Sequence, residues 1–294
     1  MKKISLPRLV IGAMRLGSWG AQLNKTELEI FVKGCLELGL TAFDHADIYG
    51  DYTTEAEFGE VLKRNSSLRS QIQLITKCGI RMLAANRPNH RIKSYDSSAA
   101  HIVKSVETSL QNLHSDYLDL LLLHRPDYLM EPDEIAKAFD HLKEQGKVLH
   151  FGASNFTPSQ FEMLIDRFEL VTNQVEISLL NRDSLDDGTL DQCLQLGVQP
   201  MAWSPLGGGV LFTDAASEDV QRITRVGKEL CAKYNCELDT LLYAWLLLHP
   251  SGIIPVTGTS KLERIKSAHA SLSIELERED WYILLEAAVG HQVA

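Results

Sequence analysis

LDLLLLHRPDYLMEPDEIAKAFDHLKEQGKVLHFGASNF, residues Leu118–Phe156, contains one strand, one helix and a second strand. Tyr117–Leu123 is apolar apart from Asp119, and is short enough for a buried strand. Pro132–Gln145 has helical spacing, with a proline near its first turn and Gly146 just beyond its end. Val148–Ala153 is the next strand. Strand, helix and strand in that order make a parallel pair with a right-handed crossover. The same alternation continues on both sides. Upstream lie the strands Leu9–Ala13, Thr41–His45 and Ile72–Lys77. Between them are a helix over Asn24–Leu38, stopped by Gly39, and a helix opened by a Thr54/Glu57 capping box. A further helix starts at Ser98 and places Ile102, Val106, Leu110 and Leu113 on one face. Downstream, a Thr157/Gln160 capping box opens another helix, and the strands Leu170–Val175, Val198–Ala202 and Gly252–Val256 follow. Helices around Asp187–Leu196, Glu218–Tyr234, Asp239–Leu248 and Lys261–Ala270 surround them. About eight such units in roughly 250 residues predict an α/β fold of the (β/α)8 TIM-barrel type. Residues 1–294 are expected to form one barrel domain. An open doubly wound sheet is the rival, but no GxGxxG follows an early strand.

In a barrel of this kind, chemistry is done at the C-terminal ends of the strands. Asp44 shares strand parity with Ala42, Lys77 ends the third strand and His124 ends LDLLLLH. Tyr49 lies just past its strand, on a loop. Singly, each has an ordinary structural explanation: a cap, a solvated amine, a core histidine. Together on one rim they form a proton-transfer set. A phenol has a reference pKa of about 10, and a buried lysine beside it favours the phenolate. An aspartate keeps that lysine charged. The set suits protonation of a carbonyl oxygen.

The formal net charge of −10 argues against nucleic acid or a membrane surface as partner. The five cysteines, Cys35, Cys78, Cys193, Cys231 and Cys236, contain no CxxC, so neither a disulfide framework nor a zinc site is expected. The reducing cytoplasm fits best. MKKISLPRLV lacks the apolar core of a secretory signal.

Other segments suit a long anionic ligand. Ser154-Asn155 follows HFGA, Asn173-Gln174 ends LVTNQV, and Trp203-Ser204-Pro205-Leu206 runs into Gly207-Gly208-Gly209. An aromatic beside glycine-rich backbone can stack on a planar ring and approach phosphates. Thr259-Ser260-Lys261 precedes a helix carrying Arg264, and a helix start attracts phosphate.

FDHADIYG, ITKCG, LLLHRPD, FGASNF, TNQVEIS and WSPLGGG, in this order, resemble the aldo-keto reductases over essentially the whole chain. HADIYG, HRPDYLM, NQVEIS and MAWSPLGGG look closest to bacterial oxidoreductases of the YdhF type. The resemblance implies a (β/α)8 barrel that binds NADPH without a Rossmann fold. It assigns a catalytic tetrad to Asp44, Tyr49, Lys77 and His124. It puts Ser154, Asn155 and Gln174 at the carboxamide of the nicotinamide and Trp203 against its ring. Ser204, Leu206 and Gly208 fall in the pyrophosphate loop, and Thr259, Ser260 and Arg264 at the adenosine phosphate. Gly258 stands where many members carry lysine, and Ser267-Ala268 where many carry Glu-Asn. NADP is thus the expected cofactor and NAD the less favoured one.

The expected function is NADP-dependent reduction of a small aldehyde or ketone, with Tyr49 as the acid. A nicotinamide-nucleotide-binding regulatory subunit with slow turnover is the alternative. A Schiff-base aldolase using Lys77 and a metal hydrolase using Asp44, His45 and Asp47 are weaker rivals. Trp19, Tyr52 and the Ile80–Tyr95 segment are the expected walls of the substrate pocket.

Overall fold

The structure is a computed structural model that describes residues 4–213 and 217–293. The opening MKK of the stretch read as lacking a secretory signal lies outside them. Eight parallel strands close into a barrel: β1 (Val10–Gly12), β2 (Ala42–Asp44), β3 (Gln73–Cys78), β4 (Leu118–Leu123), β5 (Val148–Ser154), β6 (Asn173–Glu176), β7 (Met201–Trp203) and β8 (Ile254–Thr257). Each pairs with its neighbour in sequence, and β8 closes on β1 with Val10 opposite Val256. The (β/α)8 barrel expected from the sequence is present. No helix among the described residues is long and apolar enough to cross a membrane.

Alternation along the strands divides the core in two. Val10, Ala42, Ile75, Leu120, Leu122, Met201, Ile254 and Val256 fill the barrel. Phe43, Leu74, Leu121 and Leu123 face outward, into the layer beneath the helices. The inward parity therefore carries Asp44, Lys77 and His124 to the C-terminal mouth, two residues above Ala42, Ile75 and Leu122. Asp119, the one charge inside LDLLLL, sits at the opposite end. It pairs with Arg69 at 2.9 Å and accepts a hydrogen bond from the Leu74 amide at 2.8 Å.

Several local expectations need correction. The helix Thr54–Arg64 is not opened by a Thr54/Glu57 box. Thr53 is the cap residue; its hydroxyl bonds the Gly50 carbonyl and Glu57, and the Thr54 hydroxyl is buried without a partner among the described residues. The short strands β6, β7 and β8 begin two or three residues later than the apolar runs that suggested them, because the leading residues belong to the turns entering the barrel. Tyr49 is not on an open loop. It starts a single helical turn, Tyr49–Tyr52, broken by positive φ at Gly50 and Asp51. A helix over Arg278–Val289 and a small hairpin, Ile80–Arg81 with Ser94–Tyr95, were not expected. The box at Thr157/Gln160 forms as expected.

Candidate active site

Lys77 is the hub of the mouth. Its side chain is 1% exposed, and its ammonium nitrogen has three donors to place. It places them on Asp44 Oδ2 at 2.6 Å, the His45 carbonyl at 2.9 Å and Tyr49 Oη at 3.1 Å. Asp44 Oδ1 accepts from Gln174 Nε2 at 3.1 Å, so both carboxylate oxygens are held. Burial pushes the Lys77 pKa down, but Asp44 and Tyr49 outweigh it and the net shift is upward. The amine is charged.

Tyr49 is 9% exposed. Burial raises its pKa above the ordinary value, and Lys77 lowers it by less than burial raises it. The lysine acts in the direction expected from the sequence, and burial outweighs it. The phenol is protonated at rest, and the Lys77 ammonium, 3.1 Å from its oxygen, would favour a phenolate there. The His124 ring stands edge-on to Tyr49, with centroids 6.0 Å apart and an interplanar angle of 82°. Burial, then the charges of Lys77, Arg125 and Lys93, holds His124 well below the usual histidine range. Its imidazole is neutral, and Nδ1 has no hydrogen-bond partner among the described residues. Trp19 packs beside Tyr49 with centroids 6.1 Å apart.

His45 faces away from these groups. It packs on Phe58 with centroids 4.5 Å apart, on the outer side of β2. Burial, with the Lys77 charge adding, pushes its pKa down to about 3. Asp44 and His45 point to opposite faces of the strand, so they cannot bind one metal together.

A hydrogen-bonded chain crosses the mouth from the other half of the barrel. Ser154 Oγ donates to the Gln174 carbonyl at 2.8 Å, and Asn155 Nδ2 donates to Ser154 Oγ at 2.8 Å and to the His124 carbonyl at 3.3 Å. Trp203 Nε1 donates to Asn155 Oδ1 at 2.9 Å. Asn155 takes a positive φ of 62°, which turns its amide back across the strand ends. Ser204 and Gly207, Gly208 and Gly209 also have positive φ. An added Cβ at Gly208 or Gly209 would meet nothing within 4 Å, so this backbone is open to a ligand. Arg15 Nη2 donates to the Gly208 carbonyl at 3.3 Å and ties the loop to the turn after β1. Leu206 anchors it against the core.

Thr259, Ser260 and Arg264 lie beyond β8, at the start of the helix Leu262–Ala270. That helix has no side-chain cap on its first turn. Thr259 Oγ1 accepts instead from the Lys261 amide at 3.2 Å. Arg264 is exposed and has no ion pair among the described residues. Uncapped N–H groups beside a free guanidinium suit a phosphate. An indole at the barrel mouth, an open glycine backbone and this helix start together fit an extended dinucleotide.

Sequence reading missed one element of the site. Arg125, directly after His124, holds its guanidinium 5.5 Å from the centroid of the Trp203 ring. The signal was its position in LLLHRPD, next to a rim residue.

A family model described as the aldo/keto reductase family matches residues 8–288. The chain is similar to oxidoreductase YdhF of Escherichia coli, with 46% identity covering 97% of this chain and 95% of that protein. It is similar to a 6-dehydroglucose reductase of Agrobacterium fabrum, with 42% identity covering 99% of this chain and 97% of that protein. The solved structure of a glycerol dehydrogenase from Gluconobacter oxydans has the same fold, with a TM-score of 0.85 at 22% identity, covering 97% of this chain and 92% of that one.

Proposed function

The chain belongs to the aldo/keto reductase family, whose members are NAD(P)H-dependent oxidoreductases, and we propose that it reduces an aldehyde or ketone to an alcohol with NADPH, using Tyr49 as the acid. The observation that carries this reading is the Lys77 ammonium bonded at once to Asp44 and Tyr49. A substrate oxygen at the mouth would lie between Tyr49 Oη and the neutral His124 ring. Tyr49 gives the proton and His124 orients or polarises the carbonyl, while the charge of Lys77 supports the phenolate left behind. Asp44 keeps that charge in place. NADPH, when bound, would supply the hydride for the carbonyl carbon. Ser154, Asn155 and Gln174 would hold its carboxamide, and Trp203 would cover its ring. Ser204, Leu206 and Gly208 would border the pyrophosphate, with Thr259, Ser260 and Arg264 at the adenosine phosphate. A positioned general acid supplies about 10²–10⁴-fold of the rate.

A Schiff-base role for Lys77 fits poorly. Attack on a carbonyl needs a neutral, reachable amine. This one is charged, buried and bonded to three acceptors.

The test is carbonyl-dependent oxidation of NADPH across a panel of aldehydes and ketones. The name of the Agrobacterium relative makes a 6-dehydro sugar the first compound to include. Saturable oxidation with one alcohol formed per NADPH consumed is expected. No carbonyl-dependent oxidation with any member of a broad panel would remove the reading.

A further inference from the structure

Arg125 is half-buried at the mouth. Its guanidinium has five N–H donors, yet it makes no hydrogen bond or ion pair with the described residues. Its guanidinium carbon lies 5.5 Å from the centroid of the Trp203 ring. Glu176 feels its charge but is not ion-paired to it. That charge also reaches Tyr49 and His124, the two groups that would face a substrate oxygen. These donors are open to acceptors that a ligand brings into the mouth.

Lys93 lies directly before the second strand of the hairpin Ile80–Arg81 with Ser94–Tyr95. The hairpin that carries it is docked on the tyrosine turn. Ile80 packs with Tyr49, the Met82 amide donates to Tyr52 Oη at 2.8 Å, and Asn86 Nδ2 donates to the Asp51 carbonyl at 2.9 Å. The segment from Ile80 to Tyr95 contains Arg81, Arg87, Arg91 and Lys93 and no acid, in a chain of net charge −10. Arg81 faces Asp96 at 3.7 Å, and Arg87 lies over the Tyr52 ring at 4.2 Å. Lys93 is exposed, has no ion pair among the described residues, and its charge acts on His124.

We propose that Arg125 and Lys93 form an acceptor-binding end of the substrate pocket, so that the preferred carbonyl compounds carry hydroxyl or carboxylate oxygens close to the reacting carbon. Both kinds of oxygen accept hydrogen bonds, and a carboxylate can meet a guanidinium bidentately. Cationic carbonyl compounds are repelled by the same pair. This inference rests on the carbonyl-reductase reading.

The experiment uses matched pairs: glyceraldehyde against propanal, and succinate semialdehyde against butanal. The wild type should prefer the oxygenated member of at least one pair by about tenfold or more in kcat/KM, the effect of a hydrogen bond to a charged group. Arg125→Met and Lys93→Met should erase that preference through KM, and Arg125→Lys should restore part of it. Preference for glyceraldehyde alone identifies hydroxyl recognition; preference for succinate semialdehyde alone identifies anion recognition. No preference in the wild type, equal losses on both members of each pair, or a loss that resides in NADPH affinity overturns the proposal. The four compounds are also titrated by calorimetry into NADPH-saturated Tyr49→Phe, where turnover is slowed. Tighter binding of the oxygenated compounds there, with no carbonyl reduced by the wild type, would leave this pocket standing and remove the reductase reading.

Discussion

Asp44 decides what Lys77 can do. A buried amine alone would shed its proton, and a buried ion pair broken on one side costs about 3–5 kcal/mol. With both Asp44 oxygens held, the lysine stays charged and its field falls on Tyr49. This part was legible in the sequence, because strand parity alone puts Asp44 and Lys77 inside the barrel. The net effect on Tyr49 was not legible, since burial outweighs the lysine and burial is set by packing from Trp19 and the hairpin. Arg125 was overlooked for a similar reason: a side chain's lack of partners cannot be read from its neighbours in sequence. The titration directions make a prediction. The proposed reduction uses a protonated Tyr49 and a neutral His124. The Tyr49 pKa is raised, so the acid form persists up to about pH 10, the ordinary value for a phenol. The His124 pKa is well depressed, so the ring is neutral on both sides of about pH 6.5, the ordinary histidine value. The pH profile of kcat/KM for reduction should therefore show no step near that value. A sigmoid centred there, abolished by His124→Gln, would show that His124 titrates as an ordinary imidazole.

At the scale of elements, the alternation of strand and helix was easier to read than the places where elements begin. β6, β7 and β8 are three or four residues long, and their ends are set by pairing with neighbours rather than by their own apolar runs. The hairpin of Ile80–Arg81 with Ser94–Tyr95 has two-residue strands, too short to leave a periodic signal. Helix contacts are equally silent in the sequence. Gly59, inside the helix Thr54–Arg64, faces the end of the helix Ala99–Asn112, and an added Cβ would lie 1.9 Å from the Asn112 carbonyl oxygen. Alanine in a helix normally gains about 0.5–1 kcal/mol over glycine. Here the helices would have to separate, and Gly59→Ala should lower unfolding free energy by about 2–3 kcal/mol in urea denaturation; a stability equal to or above wild type would show that this contact yields freely. The start of the helix Leu262–Ala270 carries a second prediction. Arg264→Ala should weaken NADPH binding by roughly 1.5–3 kcal/mol, the value of a hydrogen bond to a charged group, and leave NADH binding nearly as it was. Equal losses for the two cofactors in fluorescence titrations would show that Arg264 does not read the 2′-phosphate.

Across the whole molecule, the barrel divides the work around its rim. β2, β3 and β4 deliver Asp44, Tyr49, Lys77 and His124, and β5 to β8 deliver the indole, amide, glycine and helix-start groups suited to a dinucleotide. The two sets meet where Gln174 bonds Asp44 and where Asn155 bonds the His124 carbonyl. Fold and rim were legible because eight repeats of one pattern reinforce each other, so local errors at strand ends did not accumulate. The hydrogen bonds that join the two halves span 130 residues in one case, a distance over which no local pattern carries information. A division of this kind should make chemistry separable from nucleotide binding. The most direct measurement is Tyr49→Phe, in which one phenolic oxygen is removed from the protein. NADPH dissociation constants should stay within a few-fold of wild type by fluorescence titration, while carbonyl reduction should fall by about 10²–10⁴-fold, the contribution of a positioned general acid. Turnover within about tenfold of wild type, with NADPH still bound, would contradict the assignment of Tyr49 as the proton donor.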